Sequence, residues 1–260
     1  MSTTLGPNTQ APPSVLHERC IYCAGEDRRE LLHALAEAGP PDAREAAKET
    51  RDAMAAQSEA HWYYRNYEFW RFRDFCMMLS GIGTGCLEPL LYEVLHAGVV
   101  ARIVLVGTAG TMPAANVQLG QAYAIRAAWP AATGIDGEVA NLPLSPHWKF
   151  SGGEQTATGV SSDFYYGFAP AVLEGRYPID RGPLRARFEE HLRRGTELVD
   201  MEMAQFYFLC RSFGGDEVQY LAVKGAANQV GRGEQQSVNT RSALISSLQM
   251  TFRLLGVAGR

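Results

Sequence analysis

Two hydrophobic patterns alternate along the chain. Short runs that are apolar throughout predict buried strands, whereas apolar residues that recur every three or four positions predict helices with one buried face. We predict strands within segments 17–25, 101–110, 121–129, 154–167 and 217–228, and helices within 26–38, 42–57, 87–98, 183–195 and 238–256. Segment 196–214 predicts a short strand that turns into a buried helix, and the aromatic-rich segment 61–85 predicts a long strand or a hairpin. Because strands and helices alternate, an α/β fold is favoured.

The chain shows no internal repeat and no interior linker, so we predict a single domain over residues 18–260. Residues 1–17 are rich in Pro, Ser, Thr and Asn, a composition typical of a disordered tail. This stretch also lacks the basic start and the apolar centre of a secretory signal.

Composition narrows the class of protein. Hydrophobic residues make up 46% of the 260 residues and charged residues 20%, which is typical of a globular chain with a buried core. The net charge of −4 argues against nucleic-acid binding, which needs clustered basic residues. No apolar run has the length of a membrane span, and five cysteines, an odd number, suit a reducing compartment. We therefore expect a cytoplasmic protein that binds neither nucleic acid nor membranes.

The sequence gives little support for cofactor or metal binding. Cys20 and Cys23 form a C-x-x-C pair, but they lie in a predicted strand, where side chains three positions apart point to opposite faces. The six histidines show no metal-ligand spacing, and the sequence contains no P-loop, dinucleotide fingerprint or nucleophile elbow. We therefore expect neither a metal nor an organic cofactor.

Two carboxylates stand out against this background. Asp200 and Glu202 lie at the start of an otherwise apolar helix, in the sequence VDMEMAQFYFLC. Capping of the helix is one explanation for them. Ligand binding is the other, because a carboxylate beside an apolar helix needs hydrogen-bond donors, and a sugar diol supplies them. Ligands of open α/β sheets bind beyond the carboxyl ends of the strands, where this chain has several glycine-rich turns.

Six short motifs occur in the order GEDRR, LSGIGTG, VGTAG, GVSSDFYY, LVDMEM and VKGAAN. Together they resemble the nucleoside phosphorylase family, which includes purine nucleoside phosphorylase, uridine phosphorylase and methylthioadenosine/adenosylhomocysteine nucleosidase. The resemblance implies a three-layer α/β/α sandwich around a mixed, partly closed sheet, and cleavage of an N-glycosidic bond. Segment 39–57 is longer than the usual family connection, and we interpret it as a helical insertion.

The resemblance also implies roles for single residues. Glu202 would hold the ribose 2′- and 3′-hydroxyls, with Met201 against the sugar, so that the carboxylate favours the positive charge that develops at C1′. Gly25 and Arg29 match the first phosphate loop of the phosphorylases. Thr108 falls where the family binds the phosphate or the attacking water.

A second set of residues is implied around the base. Gly110 would line the base pocket, and Val160 stands where the family often has a stacking aromatic, a loss for which Phe164 could compensate. Asn228 replaces an Asp that protonates purine N7 in many members, and an amide can donate a hydrogen bond there but no acidic proton. Arg241 is similar in position to a helix arginine that assists this acid.

Two departures leave both phosphorolysis and hydrolysis open. Leu105 stands where the phosphorylases have a second phosphate-binding arginine, which nucleosidases lack. Nucleosidases instead need a carboxylate in the first loop to activate water, and Glu26, Asp27 or Glu30 could supply it. A further phosphate-binding arginine often comes from a neighbouring subunit, and Arg65 is the candidate for it.

From these residues we predict a pentosyltransferase that phosphorolyses a purine-type nucleoside to the free base and ribose 1-phosphate, with inorganic phosphate as co-substrate. Phosphorolysis is favoured because Arg29 has little structural reason to lie at the exit of a tight loop. A purine is favoured because Phe168 stands where uridine phosphorylases have a uracil-reading Gln. The alternatives are a hydrolytic nucleosidase of the same fold and a non-catalytic nucleoside-binding protein. A homo-oligomer, either a dimer or a trimer of dimers, is expected, with the aromatic-rich segment as the candidate dimer surface.

Overall fold

A computed structural model describes residues 3–49, 61–113, 115–131, 133, 135, 137–163, 182–230 and 236–257. Its strands are β1 (Arg19–Ala24), β2 (His61–Tyr64), β3 (Tyr67–Arg71), β4 (Cys76–Ser80), β5 (Arg102–Thr111), β6 (Ala122–Pro130), β7 (Thr156–Ser161), β8 (Leu198–Asp200) and β9 (Gln219–Gln229). Its α-helices are α1 (Arg28–Ala38), α2 (Pro41–Glu49), α3 (Thr84–His96), α4 (Gly182–Arg193), α5 (Met203–Gly214) and α6 (Gln236–Leu255). The aromatic-rich segment forms β2 and β3 as a hairpin that continues into β4.

The strands form one mixed sheet that closes partly on itself. The strand order is β2-β3-β4-β1-β5-β8-β7-β6-β9, and β9 also pairs with β5 along ten registered positions. The five strands β5, β8, β7, β6 and β9 therefore make a ring, from which β1, β4, β3 and β2 extend as an open flange. β1, β4, β5 and β9 run parallel, so their carboxyl ends meet at one edge. The predicted mixed, partly closed sheet is confirmed.

Helices cover both faces of this sheet. The buried side chains of α3 and α5 share one apolar cluster with Cys20 and Tyr22 of β1. Those of α1, α2 and α6 share a second cluster with Ile21 and Cys23 of the same strand. Alternate residues of β1 thus face opposite layers, as the pleat of a strand requires. The three-layer arrangement is confirmed, and the C-x-x-C cysteines are free thiols buried in different clusters.

The helix α6 lies unusually close to β9 because Gly225 has no side chain. A Cβ built on Gly225 would lie 2.2 Å from the carbonyl oxygen of Ala243 in α6, well inside contact distance. This close packing fixes the height of the helix over the strand that carries Lys224 and Asn228. Across the described residues, no helix is long and apolar enough to cross a membrane.

The composition predicts disorder for residues 1–17, but the described residues 3–17 lie against the fold. Glu93 of α3 is 3% exposed and accepts four hydrogen bonds from the backbone and side chains of Asn8 and Thr9, at 2.7–2.9 Å. Ala11 and Val15 are fully buried. The polar residues that favour disorder by composition are here the donors that a buried carboxylate needs, which corrects the expectation for this segment.

The predicted insertion contains one described helix. α2 begins at Pro41, where the missing N–H of proline costs no helical hydrogen bond, and it packs Ala43 and Ala47 into the second apolar cluster. The remainder of the predicted insertion, residues 50–57, lies outside the described residues.

Candidate functional site

Four charged side chains meet inside the protein near the carboxyl ends of β1, β5, β8 and β9. They are Glu26, Asp200, Glu202 and Lys224, which we call the buried charge cluster. Lys224 is 1% exposed, Asp200 4% and Glu202 5%. Charged groups are seldom buried unless they are paired, and here three carboxylates share one ammonium group.

Asp200 caps the helix that follows it. Its carboxylate accepts the backbone N–H of Met203 at 3.1 Å and the Ser161 hydroxyl at 2.7 Å. The same carboxylate lies 2.9 Å from Lys224 Nζ. The Ser161 oxygen in turn accepts the N–H of Ala204 at 2.8 Å, so two of the free donors at the start of α5 are satisfied. The capping explanation therefore holds for Asp200.

Glu202, unlike Asp200, does not cap the helix. It occupies the N-cap position of α5 but makes no capping hydrogen bond. Its carboxylate instead accepts the backbone N–H of Gly83 at 3.1 Å and lies 3.7 Å from Lys224 Nζ. Burial raises the pKa of Glu202 to about 7, although Lys224 and the Gly83 N–H act in the opposite direction. Glu202 is thus held at its position by another loop, and it carries a carboxylate that takes up a proton near neutral pH.

The glycine turns bring that loop to the cluster. Gly83 has a φ of +84° and Gly25 a φ of +68°, a region of conformational space that favours glycine. A Cβ on Gly25 would lie 2.3 Å from Cγ1 of Ile82. The turn after β1 and the Gly-Ile-Gly turn after β4 can therefore touch only because Gly25 has no side chain. Gly25, predicted as part of a phosphate loop, has this packing role.

Glu26 reaches across to the end of β5. Its Oε1 accepts both the backbone N–H of Thr108 and the Thr108 hydroxyl, the latter at 3.0 Å. A Cβ on Gly107 would lie 2.6 Å from Glu26 Oε1 and 3.3 Å from Lys224 Nζ, so glycine is needed where both groups pass. Burial raises the pKa of Glu26, with Lys224 and the Thr108 donors opposing the rise. Of the three acidic candidates in the first loop, Glu26 is the one that enters the cluster.

Lys224 holds the cluster together. Burial alone would lower the pKa of Lys224, but the facing carboxylates of Asp200, Glu202 and Glu26 raise it instead. The ammonium is therefore charged at neutral pH, and the carboxylates around it are in excess. Sequence reasoning missed Lys224, yet a signal was present. A lone lysine inside the apolar run QYLAVKGAA needs an acidic partner if that run is a buried strand.

The residues predicted for the base divide into two groups. Gly110 of β5 and Asn228 of β9 are register partners, beside an irregularity in the ladder, and Asn228 is half-buried. Val160 is fully buried in a small apolar cluster with Val199, so its side chain belongs to the protein core. Phe164 lies outside the described residues. Gly110 and Asn228 are thus the members of this set that the structure brings together.

The predicted arginines lie apart from the cluster. Arg29 is exposed in the first turn of α1. Arg65 is exposed at the turn between β2 and β3, with its guanidinium 5.2 Å from the centre of the Tyr64 ring. Arg241 forms a two-pronged ion pair with Glu30 at 2.8 and 2.9 Å. Arg241, expected to assist Asn228, is therefore engaged with α1.

Two further predictions can be placed. Leu105, which stands where the resemblance places a phosphate-binding arginine, is fully buried in the core. Met201, predicted against the sugar, is half-buried between Asp200 and Glu202. The cavities of about 720 and 300 Å³ that the structure describes are lined by residues outside the buried charge cluster. Among the described residues, no group of three His, Cys, Asp or Glu side chains is arranged so that it could hold a metal ion.

Solved structures with a similar fold bear on this geometry. Purine nucleoside phosphorylase from Toxoplasma gondii, in complex with immucillin-H, matches with a TM-score of 0.61 at 14% identity, covering 98% of this chain and 98% of that one. Uridine phosphorylase from Vibrio fischeri matches with a TM-score of 0.60 at 15% identity, covering 96% and 93%. The 5′-methylthioadenosine nucleosidase of Arabidopsis thaliana matches with a TM-score of 0.62 at 9% identity, covering 94% and 98%.

The sequence itself matches no family model. It matches no curated protein either. At these identities the structural matches establish the fold alone. The chain has the fold shared by nucleoside phosphorylases and nucleosidases, over nearly its whole length, and this confirms the fold that the motif resemblance implies.

Proposed function

We propose that the protein cleaves the N-glycosidic bond of a nucleoside, that it does so by hydrolysis, and that Glu202 and Glu26 are its main catalytic groups. The similar structures act on nucleosides according to their names, as phosphorylases or as a nucleosidase. A fold alone does not determine activity. The proposal therefore rests on the buried charge cluster, above all on the contact between Glu26 and Thr108.

Glu202 supports sugar binding. It is a buried carboxylate that does not cap its helix, and its contacts with Gly83 and Lys224 leave it lone pairs that can accept further donors. The two hydroxyls of a ribose are such donors. When the glycosidic bond lengthens, positive charge develops on the sugar ring, and a fixed negative charge nearby stabilises it more than it stabilises the ground state.

The contact between Glu26 and Thr108 favours hydrolysis over phosphorolysis. Both donors of Thr108, the residue predicted to meet phosphate or water, are engaged by one carboxylate oxygen. A phosphate at that position would bring further negative charge against Glu26, with Asp200 and Glu202 nearby, and like charges in a buried site repel strongly. A water molecule carries no such penalty, and Glu26 is placed to accept its proton as it attacks C1′.

Asn228 supports binding of the leaving group. It lies beside Gly110 at the far end of β5 and β9. Its amide can donate a hydrogen bond to a ring nitrogen or a carbonyl oxygen of a purine, but it cannot supply an acidic proton. We therefore propose a purine-type base whose departure is assisted by hydrogen bonding. The expected homo-oligomer and the subunit-crossing role of Arg65 stay predictions.

Phosphorolysis is the second candidate, and Arg29 is the observation that favours it. Arg29 lies in the first turn of α1, next to the turn that carries Glu26, and it makes no ion pair with the described part of the chain. A helix N-terminus with a free guanidinium can attract an anion. In this case the phosphate would lie outside the position that Glu26 occupies.

An assay of base release separates the candidates. The protein is incubated with inosine, adenosine, guanosine, methylthioadenosine and uridine, with and without phosphate. Hydrolysis predicts release of a purine base in phosphate-free buffer, and Glu26→Gln should reduce that release by about 100-fold, a typical contribution of a general base. Release only with phosphate, diminished in Arg29→Ala, would support the second candidate. Binding without release in any condition would indicate a non-catalytic protein.

A further inference from the structure

A groove lies on the α6 face of the sheet. It has a volume of about 720 Å³, and residues of α6 and of the loop that precedes β7 line it. Arg102 and Gln219, the first residues of β5 and β9, also line it, as does Ala122 of β6. Ala122 pairs with Gly225, but both Ala122 and Val223 belong to the second apolar cluster, on the α6 side, and Lys224, the next residue of β9, therefore faces the other side of the sheet. The groove is separate from the proposed catalytic site because the two lie on opposite faces.

The groove carries an excess of positive charge. Arg102 of β5, Lys149 of the loop and Arg253 in the last turn of α6 all line it, and all three are exposed. No ion pair joins any of them to an acidic residue of the described ranges. Three cationic side chains from three separate elements that line one groove make a positive potential there, which attracts an anion.

The one carboxylate of the groove is already engaged. Glu154 accepts hydrogen bonds from the backbone N–H groups of Ser151 and Gly152 and from the Ser151 hydroxyl. These donors lower the pKa of Glu154 to about 2, so it stays charged while it closes its own turn. Glu154 therefore shapes the wall of the groove and does not neutralise the arginines by contact.

The part of the loop that carries Trp148 and Lys149 is held against the sheet by hydrogen bonds. His147 accepts the N–H of Tyr220 through its backbone carbonyl at 3.0 Å, and its ring Nδ1 lies 3.0 Å from the Val218 carbonyl oxygen. The next residue, Trp148, lines the groove while its indole also packs against the second apolar cluster. A ring fixed in this way offers a stacking surface beside the basic side chains.

We infer that this groove binds a small phosphorylated molecule with a planar ring, of the nucleotide class. The volume lies within the ordinary range for small-molecule sites, which is about 300–1,000 Å³. Arg102, Lys149 and Arg253 match a phosphate group, since guanidinium groups bind phosphate oxygens in pairs. Trp148 would stack on the planar ring, and the glutamines that line the groove would form hydrogen bonds with the polar edge of that ring. The inference does not depend on the proposed hydrolysis.

Calorimetric titration of the full chain tests the inference. The probes are adenosine monophosphate, ribose 5-phosphate, inorganic phosphate and adenosine. The monophosphate should bind more tightly than ribose 5-phosphate or phosphate. The double variant Arg102→Ala/Arg253→Ala should weaken its binding at least 10-fold, and Trp148→Leu should weaken the monophosphate but not inorganic phosphate. Arg211→Ala, an exposed arginine of α5 outside the groove, is the matched control and should bind as the wild type does.

Two results would overturn the inference. One is monophosphate binding that is unchanged in the Arg102→Ala/Arg253→Ala variant, or absent up to millimolar concentration. The other is binding that disappears in Glu202→Gln, which would place the nucleotide in the catalytic site. Both arginines are exposed, so the double variant should keep its fold, and circular dichroism of the variant checks this.

Discussion

One oxygen of the Glu26 carboxylate accepts both the backbone N–H and the hydroxyl of Thr108, although the two residues are 82 positions apart in the sequence. In the proposed function, this contact places negative charge where an attacking phosphate would need hydrogen-bond donors. The same side chain faces Lys224 across Gly107, so it belongs to the cluster that holds Glu202. The contact therefore links the group proposed to activate water with the group proposed to hold the sugar.

The Glu202→Gln variant should lose catalysis while keeping its fold. Glutamine preserves the size of the side chain and can still accept the Gly83 N–H, but it removes the negative charge that would stabilise the sugar cation. We expect kcat/KM to fall by about 100-fold or more, or roughly 3 kcal/mol of transition-state stabilisation. Glu197→Gln is the control and should remain active. Glu197 is a partly buried carboxylate outside the cluster, and its partner is Arg126. Equal activity of both variants would contradict the role of Glu202.

The same substitution should change the pH dependence of stability. Burial raises the pKa of Glu202 to about 7, above its ordinary value of 4.5. The stability that this group contributes is therefore complete below about pH 4.5 and is lost as the pH rises through about 7. Glu202→Gln cannot ionise, so its melting temperature should exceed that of the wild type at pH 8 and approach it at pH 5. A difference that does not vary with pH in thermal melts would show that Glu202 is not held in this environment.

Replacement of Lys224 should destabilise the protein strongly. Lys224→Met removes the ammonium and leaves the buried Asp200 and Glu202, together with the half-buried Glu26, without a counter-charge. Breaking a buried charge pair in this way costs about 3–5 kcal/mol. Urea unfolding should show this loss, and the loss should grow with rising pH because Glu202 and Glu26, whose pKa values burial raises, then ionise. Lys149→Met removes an exposed lysine and should change the free energy of unfolding little; comparable losses in both variants would count against the cluster.

Gly225 offers a test of the packing between α6 and β9. Gly225→Ala would place a Cβ 2.2 Å from the backbone oxygen of Ala243, and neither backbone can give way easily. Overpacking of this kind costs about 1–3 kcal/mol. Gly85→Ala is the control, since nothing lies within 4 Å of its Cβ and alanine favours a helix. Chemical denaturation should therefore show a lower free energy of unfolding for Gly225→Ala and an equal or higher one for Gly85→Ala. An unchanged free energy of unfolding in Gly225→Ala would contradict the close packing.

The α/β class could be predicted from the pattern of apolar residues, which determines strands and helices locally, whereas the three-layer sandwich is implied only by the resemblance of the six motifs. The apolar runs at β1, β5 and β9 mark strands buried on both faces, and the three- to four-residue spacing marks α1 and α3. The start of α5 could also be predicted, since an acidic residue before an apolar helix is a common cap. The structure then assigns the capping to Asp200 and frees Glu202 for another role.

Contacts between distant segments could not be predicted in this way. The sequence does not distinguish which of Glu26, Asp27 and Glu30 reaches the site. The pairing of β1 with β5 brings Glu26 against Thr108. The pairing of Arg241 with Glu30 depends likewise on how α6 crosses α1. Composition gave the wrong expectation of disorder for residues 3–17. It does not show that the buried carboxylate of Glu93, far away in the sequence, accepts hydrogen bonds from this segment.

The sugar product is the most direct test of the proposed hydrolysis. The protein is given the nucleoside from which it releases base, at saturating phosphate, and the pentose is identified by nuclear magnetic resonance. The contact between Glu26 and Thr108 predicts free pentose, formed at a rate that phosphate does not change and that falls about 100-fold in Glu26→Gln. Accumulation of the pentose 1-phosphate, with Glu26→Gln as active as the wild type, would contradict it.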